Sequence, residues 1–267
     1  MLSLDGEKTS LKHKVDINCD LGESYGSFKV GYDEKVMPYI TSANVACGFH
    51  AGDPVVMAKT VRLAKQHNVA IGAHPGFPDL MGFGRREMKL TQEEAKNYII
   101  YQVGALQAFA KTIGAELQHV KTHGALYNMA MKDAALARAI VESVVAVDSK
   151  LIVFAQLKSK VAEVATKAGL RVAYEVFADR AYNSDGSLVS RKIKGAVIED
   201  SKTVTERAIE MVKEKRVIAV NGKAIDLGEV HTICVHGDNL KAVELVKSLR
   251  KRLKKAGIEV VSVGKFV

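Results

Sequence analysis

Short apolar segments of strand length alternate with segments of helical spacing along this sequence, and that alternation restricts the chain to α/β architecture on a parallel sheet. The strand-like segments are VDINCDLGE at 15–23, residues 42–48, VAIGAH at 69–74, LQHVKTHG at 117–124, LIVFAQ at 151–156, RVAYEVFAD at 171–179 and TICVHGD at 232–238. An apolar tail, IEVVSV, follows. Residues 54–67, 91–112, 133–147, 158–168, 201–215 and 239–256 read as helices, the second opened by a capping box, Thr91 with Glu94.

Polarity chooses between the two common parallel architectures. A doubly wound sheet is covered by helices on both faces, so its strands are apolar throughout, whereas each strand of a closed barrel turns one face into the lumen. In the first segment Val15, Ile17 and Cys19 share one face, and Asp16, Asn18 and Asp20 share the other. Asn44 interrupts the second segment. His119, Lys121 and His123 lie on one face of the fourth, Glu175 and Asp179 on one face of the sixth with Arg180 just beyond, and His236 and Asp238 end the seventh. The pattern predicts a distorted (β/α) TIM-like barrel of seven or eight strands with a polar lumen. At 267 residues and 48% hydrophobic content, the chain suits a single barrel domain over 1–267, since about 250 residues is an ordinary barrel size. Residues 1–14 read as a loose N-terminus. Residues 181–230 read as a lid or excursion holding a β-hairpin that turns at Asn221-Gly222.

The formal charge of +9 raises nucleic acid as a partner. The basic residues are dispersed, however, and the dense run SLRKRLKK places Leu249 and Leu253 one helical turn apart, which is the pattern of a solvated helix face. No nucleic-acid partner is expected. Cys19, Cys47 and Cys234 each lie in an apolar segment, which suits reduced, buried thiols in the cytoplasm; a nucleophilic Cys47 beside His50 is the alternative. Residues 1–14 contain no apolar stretch, and apolar runs of roughly 18 residues do not occur, so neither export nor membrane spanning is expected.

Chemistry is expected at the carboxyl ends of the strands. The stretch NVACGFHAGDP carries the second strand into a loop holding His50, with Asp53 as N-cap and Pro54 as first helical residue. A glycine-rich loop, GAHPGFPDLMGFGRR, begins at His74 and ends at Arg85 and Arg86. It is not a phosphate-binding P-loop, because no Gly-Lys-Ser/Thr follows. If the polar faces point inward, Asp16, Asn18, Asp20, Asn44, His50, His74, Lys121, His123, Glu175, Asp179 and Asp238 converge near one mouth. Burying several carboxylates costs kilocalories each unless cations, donors or a metal offset it. Such a group offers acids and bases for proton transfer, an ammonium to steady an oxyanion, and ligands for a divalent ion, which suits amide or ester hydrolysis. Arg85 or Arg86 can grip a substrate carboxylate or a phosphate; the alternative is a surface pair that holds the loop by ordinary salt bridges.

The segments DINCDLGESYG, TSANVACGFHAGDP, AIGAHPGFPDLMGFGRR, VKTHGALYN and EVFADRAYNSDGSLVSR resemble the signature segments of the LamB/YcsF family, from Val15 to the HGD at 236–238. The resemblance implies a distorted β/α barrel similar to the glycoside hydrolase and polysaccharide deacetylase group. It further implies the opening of the lactam of 5-oxo-L-proline to L-glutamate with ATP as co-substrate, together with partner subunits B and C. On that basis the catalytic candidates are Asp16, Asp20, His50, His74, Lys121, His123 and Glu175. The substrate-binding candidates are Asn18, Asn44, Arg85, Arg86, Asp179, Arg180 and Asp238. Two alternatives keep the barrel: a metal-dependent amidohydrolase or deacetylase without ATP, with Asp20, His74 and His123 as metal ligands, or a substrate-binding subunit whose partners do the chemistry.

Overall fold

The computed structural model describes residues 13–236 and 240–267. In chain order the principal elements are β1 (His13–Leu21), α1 (Asp33–Val36), β2 (Ser42–Ala46), α2 (Pro54–Gln66), β3 (Ala70–His74), α3 (Gln92–Thr112), β4 (Leu117–Val120), α4 (Gly124–Ala130) and α5 (Ala134–Asp148). There follow β5 (Ile152–Ala155), α6 (Lys160–Lys167), β6 (Val172–Phe177), α7 (Ser201–Glu214), β7 (Arg216–Ile218), β8 (Ala224–Asp226), β9 (Thr232–His236), α8 (Leu240–Lys255) and β10 (Ile258–Val260). Strands β1 to β6 pair in sequence, β6 pairs with β9, and β9 pairs with β1, so seven parallel strands close a barrel inside a layer of helices.

The alternation in β1 does what the barrel requires. Val15, Ile17, Cys19 and Leu21 are buried against the helices, while Asp16 and Asn18 face the lumen. In β5 and at the start of β6 the lumen side is apolar instead: Ile152, Phe154 and Ala173 form a separate cluster with Val263, and Phe266 and Val267 pack on it. The barrel interior is thus apolar on one flank and hydrogen-bonded on the other.

Local chemistry fixes the loops that surround the strand ends. Asp53 caps α2 by accepting from the amides of Val55 and Val56, with Pro54 at the first position. Thr91 and Glu94 form the expected capping box on α3. In α8 Leu249 and Leu253 are fully buried while Lys247, Lys251, Lys254 and Lys255 are exposed, the solvated-face pattern, and Arg250 instead donates to the carbonyls of Tyr39 and Ile40. The hairpin is present as antiparallel β7 and β8, pairing Val217 with Ile225, and Gly222 supplies the left-handed φ of +83° in the turn.

Three differences from the sequence reading have physical causes. His13 and Lys14, read as loose, belong to β1 because Ile258 and Glu259 of β10 pair with them, a partnership made by the far end of the chain. Residues 1–12 lie outside the described residues. Strand β4 ends at Val120, and His123, read as a strand residue, is the N-cap of α4, a short helix that the sequence reading missed. Gly124 follows with φ +54°, where a Cβ would stand 2.6 Å from the Gly84 carbonyl oxygen.

Candidate active site

The lumen is layered along the barrel axis. Asp16 lies near the amino ends of the strands, opposite Thr232, where its carboxylate accepts from the hydroxyls of Thr41 (2.6 Å), Ser42 (2.7 Å) and Thr232 (2.5 Å). Burial pushes its pKa up to about 6 despite those three donors. Asp16 is therefore not at the mouth, contrary to the expectation that all the inward polar residues converge there. It joins strands from the opposite end, with partners that carry no sequence signal as a set.

Above it sits an amide layer. Asn44 Nδ2 donates to Asn18 Oδ1 (2.7 Å) and Asp20 Oδ1 (2.8 Å), and Asn18 Nδ2 donates to the Thr232 hydroxyl (2.7 Å). His119 Nε2 donates to Asn44 Oδ1 at 2.7 Å, its ring stacked on Phe154. Both asparagines, expected to bind substrate, thus use their amides on protein groups.

Lys121 comes next. Its ammonium, 3% exposed, is 2.9 Å from Asp20 Oδ1, 2.9 Å from Glu175 Oε1, 3.2 Å from Asn18 Oδ1 and 3.1 Å from Cys234 Sγ. Burial pulls its pKa down, but Asp20, Cys234 and Glu175 outweigh that and hold it well above the ordinary value. An ammonium has three protons and here meets four acceptors, so reaching a substrate oxygen requires one of these contacts to yield. Tyr127, missed by the sequence reading, buries its hydroxyl beside Glu175; burial and that carboxylate raise its pKa well above normal.

At the mouth, Glu23, His50, His74 and His123 place one ligand atom each within 4.8 Å of one another. His74 Nδ1 is 2.7 Å from the Lys121 carbonyl oxygen and His123 Nε2 is 2.9 Å from that of Phe83. Carbonyls only accept, so both of these nitrogens carry the proton. The remaining nitrogens, His74 Nε2 and His123 Nδ1, then face each other at 2.9 Å with a lone pair each. Burial, and then the charges of His50 and His74, push the His123 pKa well below normal. A cation shared by the two nitrogens fits this spacing: two nitrogens bound at about 2.0–2.1 Å to one ion of the zinc class stand about 3 Å apart.

Acidic ligands adjoin this pair. Asp20 Oδ2 is 3.3 Å from His74 Nε2, and Glu23 Oε1 is 3.8 Å from His123 Nδ1 and 3.5 Å from His50 Nε2. Both nitrogens of His50 and Oε1 of Glu23 are buried with no hydrogen-bond partner, as expected of groups shaped for an ion. His50 stacks on His123 at 3.7 Å, 4° from parallel, so its ring must turn before its lone pair can meet the same ion. The donor set fits a divalent cation.

The loop residues divide. Arg85 is exposed at the mouth, its guanidinium 5.0 Å from the centre of the Phe83 ring. Arg86 is held instead by the buried carboxylate of Asp79, which also accepts from the Gly82 amide, so it braces the loop rather than greeting a ligand. Arg180 is likewise a strut: its guanidinium donates to the carbonyls of Ala196 (3.3 Å) and Val189 (2.6 Å), and burial lowers its pKa to about 10. Asp179 is buried, and its carbonyl accepts from Ile198. Asp238 lies outside the described residues. Cys47 bonds the Val45 carbonyl on the helix side, and burial raises its pKa to about 12, so it is no nucleophile.

Glu23 is the mouth residue that alternation hides. Continuing the parity of Asp16, Asn18 and Asp20 would turn residue 23 outward, but Gly22 takes φ +70° and swings the chain back over the lumen.

Comparison with known proteins agrees with this architecture. The chain is 61% identical to the A subunit of 5-oxoprolinase from Pyrococcus furiosus, over 95% of this chain and 99% of that protein. It superimposes on the crystal structure of a lactam utilization protein from Thermus thermophilus with TM-score 0.88 and 47% identity, covering 93% and 99% of the two chains. A putative cellobiose-phosphate cleavage protein from Enterococcus faecalis shares the fold alone, with TM-score 0.57 and 14% identity over 96% of this chain and 99% of that one. No helix among the described residues is long and apolar enough to cross a membrane. The LamB/YcsF profile matches residues 15–267, and the chain belongs to the LamB/YcsF family.

Proposed function

We propose that this chain is the ring-opening subunit of an ATP-dependent 5-oxoprolinase, working with partner subunits B and C. The observation that carries the reading is the buried row of Asp20, Lys121 and Glu175 directly beneath the facing imidazoles of His74 and His123. Relatives at this level of identity are named as the A subunit of 5-oxoprolinase, which supports the substrate. Asp20 and Glu23 put carboxylates beside the mouth histidines, a poor host for a triphosphate, so we assign ATP to the partners.

On this reading a partner moves the γ-phosphoryl of ATP onto the lactam oxygen, releasing ADP. Here water adds to the activated carbon and Asp20, oriented by Lys121 and Asn44, takes its proton. The carbon–nitrogen bond breaks, the ring nitrogen takes up that proton, and γ-glutamyl phosphate results. A second water releases phosphate and L-glutamate. Arg85 engages the substrate carboxylate at the rim. Lys121 bridges Asp20 and Glu175 and holds both carboxylates in place. His74, His123 and Glu23, with Asp20 or a turned His50, would hold a divalent ion, whose chemistry when bound is Lewis-acid polarisation of the attacked centre. The three free, buried thiols suit the reducing cytoplasm.

The facing lone pairs favour a second reading, metal-dependent amide hydrolysis without ATP. One experiment separates the two: release of ADP and glutamate from 5-oxoproline and ATP, by the purified chain alone and with subunits B and C, with and without chelator. Glutamate that requires ATP and the partners supports the first reading. Chelator-sensitive glutamate formation without ATP supports the second, and no glutamate under any condition removes both.

A further inference from the structure

Three loops around the mouth hold large apolar side chains out into solvent. After β1, Phe28 is 76% exposed with Tyr25 beside it; after β3, Met81 is 92% exposed beside Leu80; after β6, Ile193 is 58% exposed near Val197. These side chains are held out on hydrogen-bonded turns. Tyr25 and Phe28 exchange both backbone hydrogen bonds at 2.9 Å, and the Gly26 amide is pinned to Asp53, the cap of α2. Leu80 and Met81 sit on the turn that the Asp79 carboxylate closes with Gly82 and Arg86. Ile193 lies in a turn bonded to Ser190 and Ala196.

The loops after β1 and β3 also wall the reaction centre. A Cβ on Gly84 would stand 2.6 Å from His50 Cβ, and one on Gly52 would meet the Gly22 carbonyl at 2.8 Å, so the turns after β1, β2 and β3 touch one another around His50. Each apolar projection has cations for neighbours: Lys29 follows Phe28, Arg85 follows the Met81 turn, and Lys192 and Lys194 flank Ile193, all exposed. Scattered apolar residues need no explanation; adjoining turns beside the ligand cluster that each hold out an exposed apolar pair next to a cation do.

We infer that this rim is the docking face for the ATP-using partner subunit, which meets it with an acidic surface carrying apolar sockets. The inference rests on the proposed function, and that chemistry gives a reason for it. An O-phosphorylated lactam reacts with water, so passing it between subunits needs a mouth sealed against solvent. Apolar contacts exclude water there, and the basic neighbours steer an acidic partner to the right place.

The test is co-expression with subunits B and C, followed by size-exclusion chromatography with light scattering and sedimentation-derived affinities. A Phe28→Glu, Met81→Glu double variant should lose affinity at least tenfold while keeping the wild-type circular dichroism and melting temperature. Val145→Glu, at an exposed apolar position on α5, should bind as wild type does. In turnover the double variant should release more phosphate than glutamate, because the activated lactam escapes. Unchanged affinity in the double variant, or a wild-type chain that does not associate with B and C, overturns the inference. A double variant that loses binding, in a complex whose wild type makes no glutamate, keeps the interface and removes the proposed function instead.

Discussion

Lys121 offers the most demanding test of how the lumen is held together. Replacing it with Met keeps most of the volume and deletes the charge between Asp20 and Glu175, whose side chains are 12% and 0% exposed. At an effective dielectric constant of about 20, a contact of that length is worth about 6 kcal/mol gross, most of it offset by desolvation. Breaking a buried pair by removing one member typically costs about 3–5 kcal/mol, because the remaining charge is stranded. Lys121→Met should therefore lose about 3–5 kcal/mol at neutral pH, and adding Glu175→Gln should recover about half of it by removing the fully buried stranded carboxylate. Urea unfolding of the wild type, both single variants and the double variant supplies the cycle. Single-variant effects that add to within about 0.5 kcal/mol would refute the coupling. Glutamate formation with the partner subunits should fall by about 10² to 10³, the range for one preorganised electrostatic group. A folded Lys121→Met enzyme within about threefold of wild type would make the lysine a counter-ion with no part in turnover.

Asp16 should give the protein an unusual acid-side profile. Its folded pKa of about 6 lies above the unfolded value, so the native state retains a proton that the unfolded chain has lost, and stability falls as pH rises from about 4 through 6, by up to roughly 3 kcal/mol. Asp16→Asn should flatten that slope in urea midpoints compared across the window; an unchanged slope would show that the three hydroxyls hold the carboxylate ionised. Gly72→Ala should destabilise by about 1–3 kcal/mol or more, because the new Cβ would stand 2.1 Å from His119 Nε2, a ring fixed by Asn44 and Phe154. A melting temperature within a degree or so of wild type would mean that His119 can move aside. Arg86→Ala should speed amide exchange between Gly82 and Arg86 and leave the global unfolding midpoint nearly unchanged, since its role is to close the Asp79 turn. Unaltered exchange would show that Asp79 holds the turn without it.

The barrel was legible because one-sided polarity survives in β1 and the helices carry their caps in plain view at Asp53 and Thr91. The site was legible only in part, and parity explains both kinds of error. Alternation reports which face a residue takes and not its depth, so Asp16 looked equivalent to Asp20 although they sit at different levels of the lumen. Alternation also fails where a glycine takes a left-handed φ, which is how Glu23 escaped notice after Gly22. Arg86 and Arg180 looked like ligand-binding cations because their satisfying groups, Asp79 and the carbonyls of Val189 and Ala196, become neighbours only once the loops have folded. His119 sat on the correct face, but its stacking partner Phe154 comes from the next strand.

Closure of the barrel through β1 and β9 has a consequence for how the protein is made. The first described strand leaves the ribosome with one edge destined for β2 and the other for a strand whose Thr232 lies 216 residues further on. Until then β1 to β6 can form only an open sheet with two unpaired edges, each a template for pairing with another chain. Closure joins residues 216 positions apart, so its entropic cost is met only once β9 has emerged, where folding is slow and aggregation competes. A nascent chain stalled before β9 should therefore engage chaperones, and emergence of β9, rather than synthesis of the first six strands, should set the moment at which the barrel becomes protease-resistant.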